Sequence, residues 1–406
     1  MNSICCSGVW KQEKFLNDSY DGWSDEMKVL VIGAGMMGKA LVYDLAHSEG
    51  IERVIIADID AGRADAVAAS VGKKVTAQKI DLQSRGDLLP LVKTADVVIG
   101  ATSYNHNLLL TKAAIESKVH FCDLGGNMDV VDSQLALHKE AERAGICVLP
   151  NCGLAPGMAC LIAAGGARKF SRVDTIRLRV GGLPQNPLPP LHYQLVFSVE
   201  GLINEYLEPA EVVRNGEIKE VASMTDLEKI EFPLPPGTFE AFNTSGGVST
   251  LPRMFRGKVR ELDYKTIRYR GHCEKFTTLL DLGFASAEPV MVGGSVRTAR
   301  EIFEELLRRK LPAGGPDLVL MRITVSGTMD NRPRTVAYDM IDYYDAQAQL
   351  TSMMRTTAFP TSIIAQMVVR GDIRMRGVFP PEQCVPLEPF LGELRRRNII
   401  IHETWT

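Results

Sequence analysis

The stretch 27–39, MKVLVIGAGMMGK, limits the possible folds more than any other part of this chain. An apolar run at 29–32 leads straight into Gly33-Ala34-Gly35-Met36-Met37-Gly38. That order predicts a buried parallel strand, a glycine turn and a helix start. Gly33 permits the tight turn, Gly35 lets backbone approach a pyrophosphate, and Gly38 lets the helix pack close to the strand. The N–H groups of the first helical turn, Met36 and Met37 among them, then face the anion. A second apolar run, 54–57, ends at Asp58, twenty residues after Gly38. A carboxylate there accepts hydrogen bonds from both ribose hydroxyls of NAD and repels the additional phosphate of NADP. A plain glycine turn followed by a capping Asp is the weaker reading.

From 27 to 151, strand and helix patterns alternate. Helices are expected at 39–48, 63–70, 88–93, 108–117 and 135–144, and strands at 53–58, 75–82, 96–101, 119–123 and 146–150. Regular alternation predicts an α/β fold with a doubly wound parallel sheet. Ligands in such sheets lie beyond the carboxyl ends of the strands. The strand ends therefore supply the candidate cofactor residues: Asp58, Asp81, Leu82, and Ala101, Thr102 and Ser103, with Tyr104 beside them. Ser103 or Asn105 also suits a helix N-cap. Asp123, followed by Gly125-Gly126, is expected to point into the crevice, where it can hold an ammonium or take a proton. Capping the next helix is its competing role. Cys152, with no base near it in sequence, reads as a lining residue in the turn 151–158.

After Asn151 the pattern changes. A helix is expected near Pro156, then strands at 175–180, 194–197, 211–214, 218–221, 262–269 and 318–326. Asn215-Gly216 signals a hairpin, and 336–342 alternates with period two and should pair with 318–326. Residues 152–354 thus read as an α+β domain with an open mixed sheet. Residues 355–406, helical over 361–369, are expected to pack back on the first domain, 27–151. Residues 1–26 read as an N-terminal extension without the pattern of a secretory signal. Gly181-Gly182 should follow a strand and form a pocket wall, and Ser245-Gly246-Gly247 has the form of a backbone anion-binding turn or a plain loop. In the segment 265–272, KTIRYRGH, strand geometry puts Lys265, Ile267 and Tyr269 on one face and Thr266, Arg268 and Arg270 on the other. Arg268 can clamp a carboxylate, and His272 has a pKa range suited to proton transfer near neutrality. A solvated edge strand with a surface histidine is the alternative.

Composition narrows the classes. The 406 residues are 45% hydrophobic and 23% charged with a net charge of −3, ordinary for a globular protein of two domains. No basic stripe with aromatics suggests nucleic acid, and no apolar run is long enough to span a bilayer. The eight cysteines form no CxxC pair and no zinc spacing, so no metal is expected, and the thiols read as reduced in a cytoplasmic protein. Neither HExxH nor a Ser–His–Asp order is present. Hydride transfer suits such strand ends, because the cofactor carries the chemistry and the protein supplies positioning.

With GAGMMG, Asp58, DLGG, NCGLAPGM, GGLP, SGG and KTIRYRGH in this order, and GVFPPEQ at 377–383, the chain resembles the saccharopine dehydrogenase-like family from 27 to about 402. Within it, the resemblance is closest to the L-lysine 6-dehydrogenase branch. It implies a Rossmann domain completed by C-terminal segments, with an α+β catalytic domain inserted. It also implies NAD-linked oxidative deamination of the side-chain amine of L-lysine, giving ammonia and 2-aminoadipate 6-semialdehyde, in a homodimer or higher homo-oligomer. On this reading Asp123 and His272 lie near the amine, Arg268 holds the α-carboxylate, and Tyr104, Cys152, Gly182 and Tyr269 complete the substrate site. Glutamate-forming saccharopine dehydrogenase shares the fold and is the alternative enzyme. A non-catalytic NAD-binding regulatory protein is the alternative outside enzymology.

Overall fold

The computed structural model describes residues 26–233 and 237–406. All but the last residue of the extension expected over 1–26 lies outside the described residues. Six parallel strands build the first sheet: β1 (Met27–Ile32), β2 (Ile51–Asp58), β3 (Val75–Lys79), β4 (Val97–Gly100), β5 (His120–Asp123) and β6 (Cys147–Leu149). Their order is β6-β5-β4-β1-β2-β3, and Gly377–Val378 adds a seventh parallel strand beside β6. β1 and β4 carry near-continuous apolar runs, buried throughout except for Lys28. That is the pattern of strands covered on both faces. The order turns between β1 and β4, so the crevice for a ligand opens above their carboxyl ends.

The helix Met36–His47 packs against the long helix Ser352–Val369 on one face of this sheet. The segment 135–144 differs from expectation, forming two helices, Met128–Leu135 and His138–Ala144. The break turns His138 Nδ1 toward the Val378 carbonyl at 3.1 Å, which ties it to the seventh strand.

The second sheet is mixed and centres on β7 (Arg172–Pro184). This strand pairs in parallel with Glu261–Tyr269 and antiparallel with Asp317–Met329. Beyond the latter come Arg332–Tyr343 and His402–Trp405; beyond the former come Gly237–Asn243 and Glu228–Phe232. Asn215-Gly216 turns the hairpin Ala210–Arg214/Glu217–Val221 with φ of 51° and 82°. The pairing expected for 318–326 is present, with Val319 opposite Asp342 and Ser326 opposite Thr335.

Three local expectations are corrected. Gln194–Phe197 is not a strand; only Leu195 makes an isolated bridge, to Ala313, and its apolar residues are buried among Leu202, Tyr206 and Phe276. Gly181 and Gly182 lie inside β7 rather than after it, and the neighbouring strand runs so close that a Cβ on Gly181 would come within 2.2 Å of the Ile267 carbonyl oxygen. Pro156 precedes its helix in extended backbone, and the helix begins at Ala159. Among the described residues no helix is long and apolar enough to cross a membrane. The described cysteines are free thiols, and no group of described His, Cys, Asp and Glu residues is placed to hold a metal ion.

Candidate active site between two sheets

The glycine turn has the shape its sequence implies. Gly33 has φ 110°, and a Cβ there would lie 2.5 Å from the Ala101 carbonyl oxygen. On Gly38 a Cβ would come within 1.8 Å of the Gly33 carbonyl oxygen, so only glycine lets the helix sit this close to the strand. A Cβ on Gly35 would meet nothing within 4 Å, leaving backbone facing open space. The helix starting at Met36 has no side-chain cap, so its first N–H groups are free for an anion. Met36 is exposed and Met37 half-buried against the core. At the end of β2, Asp58 accepts from the Ala34 N–H at 2.7 Å and from the Asp60 N–H at 2.9 Å. Each carboxylate oxygen keeps a lone pair for a further donor. These residues fit a dinucleotide: an open cradle, uncapped N–H groups and an acid held beside them. A cavity of about 440 Å³ lies between Gly35-Met36 and the second domain's Gly314 and Gln349, with Lys39 and Arg63 on its wall. Asp81 is exposed past β3, its side chain accepting from the Gln83 N–H, and Leu82 is half-buried. Past β4, Ala101, Thr102 and Tyr104 are half-buried and Ser103 exposed, with the Tyr104 ring against Gly126.

At the end of β5, Asp123 is fully buried. Its Oδ1 accepts from the Gly125 and Asn151 N–H groups at 2.8 and 3.2 Å, and its Oδ2 from Gln134 Nε2 at 2.7 Å. Burial pushes this carboxyl up to about 6, against the lowering effect of the three donors. Asn151, at φ 62°, donates through Nδ2 to Ser249 Oγ at 2.5 Å. Ser249 belongs to the loop 244–250 of the second domain. Thr250 of the same loop donates to the buried Glu382, in the late GVFPPEQ segment.

The other end of that loop enters a second polar cluster. Thr244 and Thr266 share a hydrogen bond at 2.9 Å, and both hydroxyls reach Glu205 Oε1, at 3.2 and 2.6 Å. Arg268 stands on the same strand face as Thr266, 3% exposed, with Nη2 3.7 Å from Glu205 Oε2. Its guanidinium lies 4.9 Å from the centre of the Tyr193 ring. Arg268 Nε donates to Tyr206 Oη at 2.8 Å, and Tyr206 Oη is 3.1 Å from His272 Nε2. His272 Nδ1 meets the Leu191 carbonyl at 2.9 Å. The directions follow from the end groups. A guanidinium only donates and a carbonyl only accepts, so the tyrosine hydroxyl donates to Nε2 and the imidazole carries its proton on Nδ1.

Several expected roles are revised by this arrangement. His272 is not a proton-transfer group near neutrality: burial first, then the Arg268 charge, push it down to about 3, and both nitrogens are committed. Asp123 points into packed structure rather than an open crevice. Cys152 does not line a pocket, being fully buried with Sγ donating to the Leu149 carbonyl at 3.2 Å and its pKa raised by burial. Gly182 lies within a strand, where a Cβ would come within 2.6 Å of Met353 Cε. Tyr269 is on the opposite strand face from Arg268, its ring beside Phe239 and its hydroxyl on the Pro184 carbonyl at 2.9 Å. Arg268 and His272 are brought together, through Tyr206. Glu205, Tyr206 and Tyr193 escape a reading of the sequence. For Glu205 and Tyr206 the signal is a polar pair near the end of the amphipathic helix Val199–Leu207, and their partners Thr266 and Arg268 are some sixty residues away in sequence.

Residues 29–149 match the family model described as "Saccharopine dehydrogenase NADP binding domain". Residues 153–400 match "Saccharopine dehydrogenase C-terminal domain". The chain is 23% identical to the mitochondrial alpha-aminoadipic semialdehyde synthase of Bos taurus, over 92% of this chain and 47% of that protein. It therefore spans about half the length of that relative. It is 24% identical to the carboxynorspermidine synthase of Vibrio cholerae, over 90% of this chain and 94% of that one. Apo saccharopine dehydrogenase (L-Glu forming) from Saccharomyces cerevisiae has a similar fold, with TM-score 0.78 and 20% identity, over 94% of this chain and all of that one.

Proposed function

The chain belongs to the saccharopine dehydrogenase family, and from that premise we propose that it is an NAD-dependent oxidoreductase that deaminates the side-chain amine of L-lysine. The products are ammonia and 2-aminoadipate 6-semialdehyde. One observation carries the choice of substrate: a single guanidinium, Arg268, stands on the polar strand face with Glu205, Tyr206 and Thr266. Lys265 lies on the opposite strand face, where its Nζ is 2.9 Å from both Asp226 and Glu228, and Arg179 is tied to Asp263 and Glu228. Arg270 is exposed beyond the strand. A substrate with one carboxylate matches one cation on that face; saccharopine, with three carboxylates, calls for more.

A dinucleotide held by the Gly33–Gly38 turn and Asp58 would supply the acceptor for the hydride that leaves the carbon bearing the amine. The protein must first receive that amine without its extra proton, because an ammonium has no lone pair to support hydride loss. Hydride departure leaves a carbon–nitrogen double bond in the substrate; water adds to the carbon, and ammonia leaves. Ala101, Thr102, Ser103 and Tyr104 line the reacting end above β4, with Gly125 and Gly126 across from them. Asp123 acts as a positioning residue, since its Oδ1 fixes the Gly125 and Asn151 N–H groups. Arg268 binds the α-carboxylate, and His272 holds Arg268 in place through Tyr206.

NAD is favoured over NADP by the two carboxylates at the end of β2. Asp58 faces the turn, and Asp60 caps the next helix. Arg63, the nearest cation in sequence, is itself 3.7 Å from Asp60. A homodimer or higher oligomer is supported by the exposed apolar residues Val290, Met291 and Val296 on the hairpin Pro289–Val292/Ser295–Thr298. The test is absorbance of the reduced cofactor with NAD or NADP and lysine, saccharopine or no amine. Growth with NAD and lysine is expected. Turnover of saccharopine instead would favour the glutamate-forming enzyme, and silence throughout would favour a non-catalytic binding protein.

A further inference from the structure

We infer that Glu205 and Arg268 together form a receptor for the zwitterionic head group of an α-amino acid, with Glu205 taking the α-ammonium and Arg268 and Tyr193 the α-carboxylate. The inference deepens the lysine reading and rests on it for the identity of the side chain, but not for the head group.

Three observations carry it. First, the two charges are close without being joined. Glu205 Oε2 and Arg268 Nη2 are 3.7 Å apart, beyond the range of a charge-assisted hydrogen bond. The other oxygen of Glu205 is anchored by the Thr244 and Thr266 hydroxyls. Arg268 is anchored separately, through Nε on Tyr206 and Nη1 on the Ile267 carbonyl. Each ion is thus fixed from behind, by different groups.

Second, Tyr193 Oη is buried and has no hydrogen-bond partner within the described residues, while its ring stacks on the Arg268 guanidinium. An orphan hydroxyl in the interior carries a desolvation cost that a ligand oxygen removes. Third, the charges balance. A cation and an anion held 3.7 Å apart have no net charge, and neither has an α-amino acid head group. Seating one exchanges a weak contact for two strong ones and leaves no uncompensated buried charge.

Substrates that lose the head group in steps test this. L-Lysine, 6-aminohexanoate and 1-aminopentane all carry the same reacting amine, but the second lacks the α-ammonium and the third lacks both head-group charges. Glu205→Gln should lower the lysine to 6-aminohexanoate ratio of kcat/KM about 10-fold or more, the usual scale for one charge-assisted bond. Arg268→Gln should lower the ratio of 6-aminohexanoate to 1-aminopentane by a similar factor. If Glu205→Gln reduces lysine and 6-aminohexanoate equally, Glu205 is structural and the assignment is overturned. Calorimetric binding of L-norleucine and of hexanoate to the unaltered protein with NADH makes the result independent of how the variants fold. Norleucine should bind at least 10-fold more tightly than hexanoate, and equal or absent binding overturns the receptor. Norleucine binding without lysine turnover would leave the receptor standing and remove the lysine dehydrogenase reading.

Discussion

At Asp123 full burial and three hydrogen-bond donors pull the pKa in opposite directions, and burial is the larger effect. The group titrates near 3.8 when unfolded and at about 6 when folded. Between those values the native state holds a proton that the unfolded chain has released, so this carboxyl makes stability fall as pH rises through the window. Across the whole window the loss amounts to about 3 kcal/mol. Urea unfolding of Asp123→Asn should lose that component, so that the variant gains stability on the native protein from pH 4 to pH 6.5; a constant difference would show that Asp123 does not titrate there. His272 shows where residue-level reading stops. Its sequence neighbours suggest an accessible imidazole, but Tyr206 and Leu191, which occupy both nitrogens, lie far away along the chain. Burial and tautomer are set by those distant partners. By contrast, alternation alone places Arg268 on the right strand face.

Elements with strong local rules are legible in the sequence. The glycine turn, the parallel strands around it and the Asn215-Gly216 hairpin each follow from backbone geometry within a few residues. The segment 194–197 is not, because a short apolar run is equally at home under a helix, which is where Leu195 and Val196 lie. The turn itself separates two kinds of glycine. Gly38→Ala puts a methyl group 1.8 Å from the Gly33 carbonyl oxygen. It should destabilise the fold by about 1–3 kcal/mol, as overpacked cores do, and weaken NADH binding as well. Gly35 has φ −75°, which alanine adopts freely, and its methyl group would meet nothing. Gly35→Ala should leave the unfolding midpoint unchanged and still raise the NADH dissociation constant about 10-fold. Thermal unfolding and NADH fluorescence titration read the two effects separately; a Gly35→Ala protein with normal NADH affinity would show that the open face is not the phosphate site.

In the whole molecule, the last fifty residues hold the two sheets together. Gly377–Val378 extends the first sheet, His402–Trp405 extends the second, and between them Arg397 donates to Asp44 at 2.7 Å and to Ser48 at 2.9 Å. Asp44 is 5% exposed, so Arg397→Ala leaves a buried carboxylate without its partner. It should cost about 3 kcal/mol, measured as a lower urea midpoint at unchanged m. Arg397→Ala combined with Asp44→Asn should recover much of the loss; failure to do so would mean that packing rather than charge makes the contact. Sequence alone suggests that this segment returns to the first domain, but not that it also joins the second sheet. Such pairing depends on edges whose vacancy no local pattern records. The seventh strand has a consequence for synthesis. β6 leaves the ribosome long before Gly377–Val378 does, so its outer edge waits uncovered while nearly all of the second sheet is made. Fusions that slow or block the emergence of residues 377–405 should therefore yield chains that self-associate through that edge.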